Sequence, residues 1–154
     1  MISISEVMET MFYVPVEPRH DPVTFQRSGL PESGRVETAT IAFSGILSGT
    51  IDLMIPASLL LVMTENFMGE NRQHLTQEHL EGTLKETLNM LAGNTFSKID
   101  GKTSFCLGVP EISTPSIKNK KDVSGQREAR VHSSTPLFVV DTLNGPMGIK
   151  INVN

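Results

Sequence analysis

Glu86 and Asn89 stand three residues apart in the run Glu86-Thr-Leu-Asn89-Met-Leu-Ala-Gly93-Asn94. On a helix, that spacing brings two side chains to neighbouring points, about 5–6 Å apart at Cβ. A carboxylate engages an ammonium group through a charge-assisted hydrogen bond. A carboxamide accepts a bond from a water molecule through its oxygen and donates another through its nitrogen. The pair therefore suits a helix that reaches into another protein and places a water.

That chemistry requires a helix with two distinct faces. Thr76 is the expected N-cap, followed by Glu78 and His79. The capping box is imperfect on sequence, because a histidine occupies the place where Glu or Gln is wanted. The helix is predicted from about Gln77 to about Lys98. With Leu88 at zero and ~100° per residue, Leu84, Leu91, Ala92, Thr95 and Ile99 gather into an apolar stripe. Gly82, Glu86, Asn89 and Gly93 fall on the other side, at ~100–160°. Two glycines on an exposed stripe are unfavourable, each costing about 1 kcal/mol against Ala in a helix interior. They suit the close approach of a foreign backbone or bulky group. The alternatives are a loose first turn at Gly82 and a frayed or kinked end at Gly93.

The rest of the chain has to supply a surface for the apolar stripe. Ser3 to Phe12 reads as a short amphipathic helix through Val7, Met8, Met11 and Phe12. Val14 to Gly34 carries Pro15, Pro18, Pro22 and Pro31 and is expected to be an irregular surface loop. Val36–Ser44 and Leu47–Ile55 alternate in the manner of strands. With Gly45 and Gly49 between and beside them they predict a hairpin. Pro56 is expected in the first turn of a helix over 57–63 and beyond, ended by Gly69. After the long helix, strands are predicted at Thr103–Leu107, Glu128–Ser133, Pro136–Asp141 and Met147–Val153. Turns are predicted at Asp122–Gly125 and Asn144-Gly145. The pattern is α+β: one domain over residues 1–154, with helices packed on a largely antiparallel β-sheet.

Composition excludes several classes. The 154 residues carry a net charge of −4, which disfavours nucleic acid and anionic lipid as partners. The core is aliphatic, since the chain has no Trp, one Tyr and seven Phe, with eight Met as adaptable filler. The most apolar stretch, Ile51 to Met63, includes Asp52 and Pro56 and is shorter than the ~20 residues of a membrane span. No basic leader precedes an apolar run at the N-terminus, so a soluble cytoplasmic protein is expected. The one cysteine, Cys106, lies between Phe105 and Leu107 and is expected to be a buried, inert thiol. His74 and His79 are five apart and diverge on a helix, so no metal site is expected. Ser133-Ser134-Thr135 lacks a nucleophile-elbow context, and phosphate-binding glycine loops are absent. The C-terminal strand Met147–Val153 carries one charge, Lys150, and reads as an open edge inviting a second copy.

At Glu86-x-x-Asn89 and its continuation Met90-Leu-Ala-Gly93-Asn94, the sequence resembles the CheC/CheX/FliY family of bacterial chemotaxis phosphatases, its CheX branch most closely. The glycine hairpin Phe43-Ser-Gly-Ile-Leu-Ser-Gly-Thr-Ile-Asp-Leu53 is similar to the corresponding hairpin of that family. The resemblance implies a CheC-like fold and hydrolysis of the aspartyl phosphate of a CheY-like response regulator. It implies that Asn89 orients the attacking water and that Glu86 contacts a lysine of the partner. Gly82, Lys85 and Gly93 are then partner-binding positions on the same helix. The Mg²⁺ belongs to the partner's phosphorylation site, and the phosphatase has no cofactor of its own. A homodimer is implied as well. Two positions depart from the family pattern. Gly82 stands where an acidic or hydroxyl residue is usual, and Pro110 and Pro115 bracket the place of the family's proline. A non-catalytic CheC-like binding module in a chemotaxis or two-component pathway is the alternative reading.

Overall fold

The computed structural model describes residues 2–19, 35–98, 104–113 and 137–154. Its centre is the predicted hairpin. Strands β2 (Val36–Ser44) and β3 (Gly49–Pro56) pair antiparallel, with Ile41 opposite Ile51 and Ala39 opposite Leu53. The two-residue period sends Ala39, Ile41, Phe43, Ile51, Leu53 and Ile55 into the core. Thr38, Thr40, Thr50 and Asp52 take the opposite face. There Thr40 donates to Asp52 Oδ1 (2.8 Å) and Asn152 Nδ2 donates to Asp52 Oδ2 (2.9 Å).

Gly49 is fixed by packing. A Cβ at this position would lie 1.9 Å from the backbone oxygen of Asn152. That oxygen belongs to β7 (Met147–Val153), which pairs with β3 on one side and β6 (Leu137–Asp141) on the other. All described pairings are antiparallel. The sheet order is β1-β6-β7-β3-β2-β4, with β1 at Glu17–Pro18, β4 at Cys106–Leu107, and β5 (Glu111–Ser113) also on β2. β7 is therefore an interior strand, which corrects the expected open edge. Its low charge reflects burial of Met147, Gly148 and Ile149 between two neighbours.

Three helices cover the core face: α1 (Ile2–Met11), α2 (Ala57–Met68) and α3 (Gln77–Ser97). Pro56 closes β3 and is the N-cap of α2, one step before the predicted first turn. Gly69 ends α2 as expected, in the left-handed conformation at φ 65°. Val7, Met8 and Phe12 of the N-terminal segment join the core, and Met11 is exposed. Lys98 donates to Glu6 across the α1–α3 contact at 2.6 Å. This hydrogen bond and the ammonium charge hold the Glu6 carboxyl below the usual carboxylate range.

The outer edge by β2 carries an irregularity. Leu107 pairs with Phe43 and Glu111 with Thr40. Residues 108–110 thus oppose residues 41–42, and the extra residue makes a β-bulge. Gly108 N donates to Ala42 O at 2.8 Å, and Pro110, which has no N–H to offer, sits where no ladder bond is required. The sequence reading missed β5 because proline and glycine masked so short a strand. Cys106 is exposed, against the expected buried thiol. Its neighbours Phe105 and Leu107 are half-buried, and strand alternation turns the residue between them outward. The predicted strand Glu128–Ser133, the turn Asp122–Gly125 and most of the loop Val14–Gly34 lie outside the described residues, as do Ile99 and Pro115.

Candidate functional site on the exposed face of α3

The start of α3 is set by a complete capping box. His79 N donates to Thr76 Oγ1 at 3.3 Å, and Thr76 N donates to His79 Nδ1 at 3.3 Å. Imidazole nitrogen thus does the work expected of Glu or Gln, and the histidine is no flaw in the cap. From there the helix runs 21 residues without a break.

Its inward face buries Thr83, Leu84, Thr87, Leu88, Leu91 and Ala92. Thr87 Oγ1 bonds back to Thr83 O at 2.7 Å. Among the described residues, Thr83 Oγ1 is the buried side-chain oxygen without a hydrogen-bond partner. Thr95, placed on the apolar stripe by periodicity, is half-buried.

Gly82, Glu86 and Asn89 are exposed, and Lys85 and Gly93 are half-buried. The structure therefore brings all five candidate residues onto one helix, and the acid and amide turn away from the sheet. Among the described residues, neither Glu86 nor Asn89 has a hydrogen-bond or ion-pair partner. A Cβ built at Gly82 or Gly93 would meet nothing within 4 Å. Packing among the described residues thus gives no reason for glycine at either place. Both lie inside the continuous helix, which removes the readings of a loose first turn and a frayed end.

The flanks of the stripe come from other elements. Phe96 stacks on Phe105 with centroids 4.4 Å apart, and both contact Phe43. Toward the other end of α3, Ile112 joins Glu81, Leu84 and Glu37 around a small cleft of about 30 Å³. On the remaining side, Glu6 of α1 accepts a hydrogen bond from Lys98. None of these neighbours was apparent from the sequence, because each contact spans elements far apart along the chain. No three His, Cys, Asp or Glu among the described residues are grouped as metal ligands would be, and no described helix is long and apolar enough to cross a membrane.

The family profile described as "Chemotaxis phosphatase CheX" matches residues 37–135, which include the hairpin, the whole of α3 and the bulged edge. The chain belongs to the CheX family. Its fold is similar to a chemotaxis protein CheX from Vibrio vulnificus, with 20% identity and a TM-score of 0.68 over 99% of this chain and 91% of that one. It is also similar to CheX in a CheX–CheY–BeF3–Mg²⁺ complex from Borrelia burgdorferi, with 13% identity and a TM-score of 0.62 over 99% and 94% of the two chains. FliY from Thermotoga maritima shares the fold at 12% identity and a TM-score of 0.58, over 96% of this chain and 81% of that one. At these identities the likeness establishes the CheC-like fold. No curated protein sequence matches the chain.

Proposed function

We propose that this protein hydrolyses the aspartyl phosphate of a CheY-like response regulator by laying α3 against the regulator's phosphorylation site. The observation that carries the reading is the open stripe of Gly82, Glu86, Asn89 and Gly93, set on a helix whose other face is locked into the core. Membership of the CheX family supports it.

An acyl phosphate is already activated, and its hydrolysis passes through a loose transition state. Little basicity is needed at the attacking water, so placement counts for more than proton abstraction. In this mechanism Asn89 accepts a hydrogen bond from the water and donates one to a phosphoryl oxygen. Glu86 binds a lysine ammonium of the partner, and this pairing keeps its charge off the phosphoryl group. Lys85 beside it adds a cation to the docking face. The Mg²⁺ that neutralises the phosphoryl oxygens comes with the partner. A group that orients the nucleophile supplies about 3 kcal/mol, near a hundredfold in rate.

We further propose that the protein works as a cytoplasmic homodimer with one such site per subunit. With β7 enclosed, this rests on the family resemblance and no longer on an open C-terminal strand. One observation favours a second reading: Gly82 offers neither carboxylate nor hydroxyl at the first position of the family pattern. A docking module without turnover is consistent with that. Phosphate release from receiver domains of the same genome, charged with acetyl phosphate, decides between the two. Release that is lost in Asn89→Ala supports the phosphatase. Binding without release by the wild type supports the module.

A further inference from the structure

Val109 is 82% exposed, at the crest of the bulge that interrupts the edge of the sheet. A single bare aliphatic side chain is ordinary on a protein surface; what sets Val109 apart is its place, on a bulge whose two ends are both anchored on β2. Its anchors also fix its place beside α3. Phe105, two residues before Leu107, stacks on Phe96 near the C-terminal end of the helix. Ile112, beyond the bulge, shares the cleft with Glu81 and Leu84 toward the N-terminal end. The segment from 105 to 112 therefore runs alongside the helix, and its midpoint falls between those ends, at the level of Asn89 rather than of either terminus.

The side of the helix is fixed as well. Relative to Leu88, Glu81 and Phe96 lie at ~20° and ~80°, and Lys85 and Asn89 at ~60° and ~100° on the same side. Glu6 and α1 approach the opposite side, through Lys98 at roughly −80°. The bulged edge thus borders the stripe along its Lys85–Asn89 margin.

We propose that Val109 is a specificity-determining contact for the phosphorylated receiver, selecting partners that carry an apolar patch beside the phosphoaspartate pocket. This rests on the phosphatase reading above. A receiver that presses its pocket onto Asn89 cannot avoid the bulge on the same margin. A bulge is also a recognised means of aiming one side chain out of a strand edge. Because Val109 meets the partner's surface rather than the reacting atoms, its contribution is the same in the ground and transition states. Its loss raises KM and leaves kcat in place.

The test uses the full chain with a receiver charged by acetyl phosphate, comparing wild type, Val109→Asp, Val109→Ser and Leu143→Ser in steady-state phosphate release. Leu143 is the control, an exposed aliphatic residue at 92% in the β6–β7 turn. The expected result is a KM raised about tenfold by Val109→Asp and less by Val109→Ser, with kcat preserved and Leu143→Ser indistinguishable from wild type. Unchanged kinetics in both Val109 variants overturn the inference and leave the phosphatase standing. A fall in kcat at constant KM overturns it too. Absence of phosphate release by the wild type with every receiver removes the phosphatase reading, and this inference with it.

Discussion

Glycine plays opposite parts in the hairpin and on the long helix. At Gly49 the fold demands it, because the backbone of β7 occupies the space a side chain would need. At Gly82 and Gly93 no described residue requires it, because a Cβ there would meet none within 4 Å. A glycine that packing explains speaks of architecture. A glycine that packing leaves unexplained, in a helix interior where it is unfavourable, speaks of something outside the chain.

Substitutions sharpen this contrast, and the largest effect belongs to the hairpin. Gly49→Ala forces β3 and β7 apart and should destabilise by about 3 kcal/mol, read as a lower midpoint in urea unfolding. An unchanged midpoint would mean that the two strands yield easily and that the contrast is weaker than drawn. Next, Asn89→Ala should slow phosphate release about a hundredfold while leaving the unfolding midpoint within ~0.5 kcal/mol of wild type, since the residue is exposed and has no hydrogen-bond or ion-pair partner among the described residues. Gly82→Ala should do the reverse of Gly49→Ala and stabilise the chain by ~1 kcal/mol, while weakening receiver binding. Stabilisation without any effect on binding would show that the open stripe is not a docking face. Thr83→Val, which removes an unpartnered hydroxyl from the buried side of the same helix, should stabilise by ~1 kcal/mol and leave turnover unchanged.

The smallest effect is set by pH. Because Lys98 holds the Glu6 carboxyl below its usual range, the pair contributes its stability above that range. The contribution fades as pH falls below ~4. Glu6→Gln should therefore flatten the acid sensitivity of the α1–α3 contact, as followed by hydrogen exchange of α1 amides between pH 3 and 6.

The sequence revealed the parts of the molecule that repeat a local period. The hairpin, the boundaries of α3 and the split between its buried and exposed faces all followed from spacing, because strands and helices impose periods of 2.0 and 3.6. The acid and amide were legible for the same reason. What escaped was set by pairing partners. β7 was read as an edge because low charge looks alike in a strand that lacks a neighbour and in one that has two. Cys106 was assigned to the interior on the character of Phe105 and Leu107, although alternation puts adjacent strand residues on opposite faces. His79 was discounted in the cap because its Nδ1 serves as an acceptor only in a particular rotamer and tautomer. β5 and the bulge were invisible because they are defined by a shift in register against β2.

The unbroken run of α3 has a consequence for control. Glu86 and Asn89 are borne by one rigid rod, less than a turn apart, so a hinge or sliding element elsewhere in the chain does not separate them. Sites assembled from two lobes can be silenced by keeping the lobes apart, and a pair carried on one helix has no such lever. Under the proposed function, regulation therefore works on access, by masking the face or by limiting how many charged receivers reach it, because the two side chains are never drawn apart.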